Sequence, residues 1–230
     1  MLIKNTIGVV ALIAAALVLF GCKDKAETEE PVAVVEEYQS PIDSSVVDEI
    51  WYFFNGDVQK NLQMANTTFT SQDYESMIKG VEKAEAIMKL EGLRASGQNK
   101  ADLDKSIKQM QKLADDARNQ VFVPVPEYEQ IFGNAQFVLG KFHLDKAREM
   151  WGEKDYFTTG KELYEATLNI ENAFLWVDHK IDSTSTNVLN MSQKTASELI
   201  DDEGWVPNDV MKAFGSMDTE VNRLRGEIAT

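Results

Sequence analysis

Only five prolines interrupt this chain of 230 residues, at positions 31, 41, 124, 126 and 207, and their placement constrains the fold more than any other feature. A proline inside a helix removes a hydrogen bond and clashes with the preceding turn, at a cost of about 3 kcal/mol, so long proline-free stretches are open to helix. The stretches between these prolines carry helical period. Apolar residues recur at Met77, Val81, Ala84 and Met88, and again at Leu103, Ile107, Met110, Leu113 or Ala114, Ala117 and Val121. Steps of three and four put such side chains on one helix face. From Val210 through Phe214, Met217, Val221, Leu224 and Ile228 the steps alternate four and three, a short heptad seam that fits bundle packing. No segment sustains strand alternation. In Val121-Phe122-Val123-Pro124-Val125-Pro126 the two prolines restrict their neighbours to extended conformations and remove donors, which predicts a crossing connector and not a sheet strand. The expected fold is all-α: a bundle of about six to eight helices in two helical-hairpin halves, 44–121 and 127–230, joined by this connector.

Helix boundaries are also written into the chain. Asp43-Ser44-Ser45 precedes an apolar segment from Val46 to Phe54, Ser71 precedes a helix beginning near Asp73-Tyr74, and Pro207 stands where the last helix should start. Stops are expected at Asn55-Gly56, Ser96-Gly97 and Gly204. A weak repeat relates the halves: Phe69-Thr70-Ser71-Gln72-Asp73-Tyr74 leads to Ala84, and Trp151-Gly152-Glu153-Lys154-Asp155-Tyr156 leads to Ala166 at the same spacing from the aspartate. Phe54-Asn55-Gly56-Asp57 is a third, poorer copy. Physically this is a hairpin signal, in which an aromatic closes one helix, a polar turn follows, aspartate caps the next and a small alanine permits close approach.

The N-terminus supplies an address. Met1 to Asn5 carry one positive charge, and Ile7 to Phe20 form an apolar run of 14 residues. A spanning helix needs about 20 apolar residues, so the layout is that of an export signal. The run ends in Leu19-Phe20-Gly21-Cys22, which resembles the lipobox of bacterial lipoproteins. The resemblance implies cleavage between Gly21 and Cys22, diacylglycerol on the Cys22 thiol, and often acylation of the new amine. It also implies that Lys23, which is not the aspartate that favours inner-membrane retention, sends the protein to the periplasmic leaflet of the outer membrane. One acyl chain holds a protein only marginally and two or more hold it stably. Residues 1–21 are thus read as the signal peptide, 22–43 as the lipidated cysteine with a flexible acidic tether, and 44–230 as the helical domain. Cys22 is the sole cysteine, which excludes a disulfide within the folded domain.

The helical hairpins around the proline-containing Phe122 to Tyr128 resemble the YfdX-type periplasmic helical proteins, over residues 45 to 180. That resemblance implies a non-enzymatic, stress-linked envelope protein with oligomeric helical packing. The Asp-capped turn is also similar to the helix-pair junction of tetratricopeptide repeats, but no repeat period accompanies it.

Residues 1–21 hold one lysine and no acid, so the remaining 209 residues carry a formal charge of −16. Such acidity argues against nucleic acid, whose binding depends on Lys and Arg neutralising phosphates, and against a domain lying flat on anionic headgroups. Few residues suggest chemistry. His143 sits among Leu139, Phe142 and Ala147 with no carboxylate or histidine at zinc-helix spacing, and reads as a partly buried structural histidine. His179, beside Asp178 and Lys180, reads as a surface residue near a helix bend. Gly92 to Gly97 has the glycine spacing of a phosphate loop, but Gln98-Asn99 replace the required Lys and Ser or Thr, which leaves a helix–helix turn. Asp201-Asp202-Glu203 reads as a solvated helix end.

The aromatics are more suggestive. At helical spacing Trp51, Trp151, Trp176 and Trp205, with Phe53, Phe54, Phe157, Phe174 and Phe214, are expected in the core. The alternative is an apolar groove lined by Trp151, Phe174 and Trp176 with Trp205, in Gly204-Trp205-Val206-Pro207, at its rim. The expected function is a lipid-anchored, non-enzymatic binding or scaffolding protein of the bacterial envelope. Its partners would be the membrane through lipid on Cys22, a protein or apolar ligand, and further copies of itself, with no cofactor, metal or catalytic residue. The alternatives are a passive, self-associating structural lipoprotein and, less favoured, an enzyme built from bundle carboxylates and His143.

Overall fold

The computed structural model describes residues 57–177 and 181–228, and there the three- and four-residue apolar steps become seven helices, with no strand among the described residues. They are α1 (Asp57–Thr70), α2 (Tyr74–Arg94), α3 (Gly97–Arg118), α4 (Val125–Glu153), α5 (Tyr156–Trp176), α6 (Ser183–Asp201) and α7 (Pro207–Ile228). The predicted faces are buried: Met77, Val81, Ala84 and Met88 on α2, Leu103 to Ala114 on α3, and Val210 to Leu224 on α7. Each helix packs on the next in sequence, and α7 returns to lie against α4. α4 therefore meets α3, α5 and α7, and its apolar and small residues are spread over several faces instead of one stripe.

The repeat seen in the sequence is a repeated helix ending. At the α1–α2 turn Gln72 takes φ 63°, its N–H donates to Phe69 O at 3.0 Å, and Asp73 N–H donates to Thr68 O at 2.8 Å. At the α4–α5 turn Lys154 takes φ 65°, donates to Trp151 O at 3.1 Å, and Asp155 N–H donates to Met150 O at 3.0 Å. These pairs of bonds satisfy carbonyls that the helix end leaves open. The two aspartates then cap the following helices, Asp73 accepting from Ser76 N–H at 3.1 Å and Asp155 from Thr158 N–H at 3.0 Å. Gln120 and Asp202 close α3 and α6 in the same left-handed conformation, so the turn recurs where the sequence pattern does not announce it. The third copy, at Phe54 to Asp57, falls almost wholly outside the described residues.

Two expectations need correction in detail. The extended connector is shorter than Val121–Pro126: Val125 and Pro126 already belong to α4, because the first turn of a helix needs no N–H from its second residue. Pro124, at φ −59° and ψ 144°, is the residue that turns the chain into the helix. The stop assigned to Gly204 lies earlier, since α6 ends at Asp201 and Asp202 adopts the left-handed cap.

The N-terminal and C-terminal halves share one apolar core. Gln59 on α1 joins them through polar groups, its Oε1 accepting from Trp176 Nε1 at 2.9 Å and from Gln136 Nε2 at 3.1 Å. Tyr128 on α4 donates its hydroxyl to Asn66 Oδ1 at 2.6 Å. Close helix approach is set by glycine. A Cβ at Gly160 on α5 would stand 2.6 Å from the Ala196 carbonyl oxygen and 2.8 Å from Leu199 Cβ on α6. In an exposed helix Gly→Ala stabilises by up to about 1 kcal/mol. Gly160→Ala should reverse that sign and cost about 1–3 kcal/mol by overpacking. Gly215→Ala on α7, where nothing lies within 4 Å of the new Cβ, should keep the ordinary gain. Urea unfolding of the two variants checks the contrast, and equal shifts in the same direction would remove the close-approach account.

Candidate functional site

The most chemically loaded place in the described residues is inside the bundle. Glu91 and Arg94 come from the last turns of α2, His143 from the middle of α4 and Glu162 from the second turn of α5. Glu91, His143 and Glu162 are 0% exposed, and the Arg94 side chain 7%. Arg94 Nη1 donates to Glu91 Oε2 at 3.1 Å, and Nη2 donates to Glu162 Oε1. His143 Nδ1 lies 2.7 Å from Glu162 Oε2. A carboxylate can only accept, so Nδ1 carries the proton and donates. The guanidinium also stands 5.8 Å from the Phe142 ring centroid.

Burial and pairing split the two glutamates. Burial drives the Glu91 carboxyl well above its ordinary value, and its single contact with Arg94 does not offset that. Burial also opposes ionisation of Glu162, but His143 and Arg94 together outweigh it and hold this carboxyl below the usual value. Burial depresses His143 despite the nearby Glu162. The charge of Arg94 is therefore met chiefly by Glu162, while burial favours the uncharged forms of His143 and Glu91. This arrangement binds three helices together. The His–Glu pair has the geometry of a base and its orienting carboxylate. With both side chains fully buried, however, a substrate has no route to it in this conformation.

His143 was legible as an inward-facing histidine, but its carboxylate comes from another helix, 19 residues on, which spacing within α4 could not reveal. His179 lies outside the described residues, as do Gly21, Cys22, Trp51, Phe53 and Phe54.

The proposed aromatic groove is not assembled. Phe174 is fully buried and Trp176 nearly so, with the Arg223 guanidinium 4.8 Å over the Phe174 ring. Both face the core at the C-terminal end of α5, where Trp176 also stacks edge-on to Phe132 at 5.1 Å. Trp151 and Trp205 gather at the opposite end of that helix around Tyr156, with ring centroids 5.8 Å apart and Trp205 4.6 Å from Tyr156. A helix of 21 residues is about 30 Å long, so one groove cannot be lined by both groups. Trp205 does stand at a partly exposed position, with Nε1 donating to Asp202 Oδ1 at 3.2 Å.

Exposed apolar side chains gather beside a cleft at the connector. Phe122 is 78% exposed, Val121 53% and Tyr74 45%. They rim a cleft of about 510 Å³ between the start of α2 and the end of α3, floored by Met77, Leu113 and Val123. The sequence pattern marked this segment as a passage and gave no sign that Phe122 would be left in water.

The remaining motifs carry no site. Gly92 to Gly97 spans the end of α2, a two-residue break and the start of α3, and Asp201 to Glu203 lie exposed at the end of α6. Among the described residues no group of three His, Cys, Asp or Glu could hold a metal ion, and no helix is long and apolar enough to cross a membrane. Compared with known proteins, the chain matches no family model, no curated protein and no solved structure.

Proposed function

We propose that this chain is a non-enzymatic scaffolding protein of the bacterial envelope, tethered by lipid on Cys22 to the periplasmic face of the outer membrane, and that it docks a second copy of itself through the connector patch. The observation that carries this reading is the patch, which holds a knob and a hole together: Phe122 projects beside a cleft of about 510 Å³. A surface with both features is self-complementary under a twofold axis, the commonest symmetry of soluble oligomers. Glu75, paired with Lys79, and Arg118, paired with Glu82 and Asp115, line the same cleft and give its rim both signs of charge. A lipid tether strengthens the case, because confining copies to one surface raises their effective concentration without new contacts. Full burial of His143 and Glu162 supports the non-enzymatic reading, since neither can touch a substrate. A partner protein or an apolar ligand in the cleft is the alternative occupant.

The full chain with photoreactive p-benzoylphenylalanine in place of Phe122, produced in cells fed a labelled fatty acid, tests both halves of the proposal. The expected product is a cross-linked band of twice the mass that carries the label, and the label should vanish with Cys22→Ser. A band of another mass would replace the second copy by a different partner. Absence of any cross-link would remove the docking role, and an unlabelled protein would remove the tether.

A further inference from the structure

Against the acidity of the whole chain, the α3–α4–α7 side concentrates positive charge in a concave place. Two adjoining clefts, of about 460 and 540 Å³, share Lys105 from α3, Asn134 and Phe137 from α4, and Arg225 from α7. Both volumes fall in the roughly 300–1,000 Å³ range of ligand pockets. Four cations line the pair, Lys105, Lys112, Lys141 and Arg225, against three carboxylates, Asp102, Asp116 and Glu127. Lys112 is engaged by Asp116 at 2.5 Å, and Lys141 by Asp102 at 3.3 Å. Lys105 and Arg225 have no ion pair or hydrogen bond within the described residues, so the surplus charge falls on the wall that the two clefts share.

Beside these cations stand amide groups, apolar surface and the carboxylate of Glu127. Asn134 Nδ2 donates to Gln109 Oε1 at 2.9 Å, which fixes that amide and leaves the Gln109 NH2 turned to other acceptors. Below them Leu113, Val123, Ile131 and Ile228 give the cleft of about 460 Å³ an apolar floor. A guanidinium fork, an ammonium and an amide donor over an apolar floor match one chemistry: a single anionic head on an apolar body.

We propose that these clefts bind a single-chain anionic amphiphile of the fatty-acid class, with its carboxylate between Lys105, Arg225 and Gln109 and its chain along Leu113, Ile131 and Ile228. The inference does not rest on self-association, although the apolar floor shares Leu113 and Val123 with the connector cleft.

The test is calorimetric titration of the full chain in dilute non-ionic detergent with laurate, dodecanol and inorganic phosphate, each below any aggregation threshold. Laurate should bind saturably and more weakly as salt rises, because the charges face solvent. Lys105→Glu with Arg225→Glu should weaken it by about tenfold or more, as expected when paired charges are reversed. Both positions are exposed, so the fold should survive, and circular dichroism verifies this. Phe122→Asp should leave laurate binding unchanged. Dodecanol bound as tightly as laurate would show an apolar cleft with no recognition of charge, and phosphate bound as tightly would show charge without an apolar requirement. Either result overturns the proposal, as does loss of laurate in Phe122→Asp with retention in the double variant, which would place the ligand at the connector.

Discussion

Glu162→Gln should lower the unfolding free energy by about 3–5 kcal/mol, whereas Glu91→Gln, a change of the same kind at an equally buried residue on the same arginine, should be neutral or stabilising at pH 7. The difference follows from which carboxyl is ionised. Removing the charge of Glu162 leaves the Arg94 guanidinium buried, and Glu91 must then ionise against its own desolvation to pair with it. Glutamine at 91 resembles the protonated form that burial favours there. The two sites also give opposite pH dependence. A carboxyl whose folded value is raised holds its proton longer in the native state, so the Glu91 contribution is complete below the ordinary value of 4.5 and is lost as pH rises through the folded value. A carboxyl whose folded value is lowered behaves in reverse, so the Glu162 contribution is present above 4.5 and is lost as pH falls through its folded value. His143, depressed below 6.5, adds to the acid-side loss, because the unfolded chain takes up its proton first. Urea midpoints measured from pH 4 to pH 9 should therefore show Glu91→Gln gaining on the wild type as pH rises above 4.5. Parallel curves for the two variants, or equal losses at pH 7, would mean that the charge is not partitioned in this way.

Phe174→Ala should cost about 3–5 kcal/mol, the range for removing a fully buried aromatic, and lower the thermal midpoint by roughly 6–20 °C in a domain of this size. Trp205→Ala should cost only about 1–2 kcal/mol, since it forfeits two ring contacts, with Trp151 and Tyr156, at a partly exposed position. Phe174 also supports the Arg223 guanidinium, which donates to Ser185 Oγ at 2.6 Å and pairs with Glu220 Oε2 at 2.9 Å, so its loss should loosen α5, α6 and α7 together. Thermal unfolding followed by circular dichroism measures both. A larger loss for Trp205→Ala would move the anchoring contact from the core to the α6–α7 loop.

These residues also show how far the sequence could be read. Asp73 and Asp155 announced their turns because a cap is a contact between neighbours, and its partners stand within a few residues. Met77 through Met88 and Val210 through Leu224 announced their buried faces because helical geometry converts spacing into direction. Phe174 and Trp205 were both aromatic in apolar company, and period alone could not say that one lies at the centre of a bundle and the other at its end.

What the sequence by itself determined about this protein is its helices, most of their buried stripes, and the chemistry of two of its turns. These follow from interactions inside a window of a few residues, where the covalent chain dictates geometry. Only the tertiary structure decided the rest. Arg94 and Glu162 meet across 68 residues of chain, His143 finds its carboxylate on a neighbouring helix, Lys105 and Arg225 face one cleft from α3 and α7, and Phe122 is left in water beside a cleft built by α2 and α3. Each depends on which helix faces which. That is set by the sum of close packing at places such as Gly160 and Gly140, a collective property that no local pattern encodes.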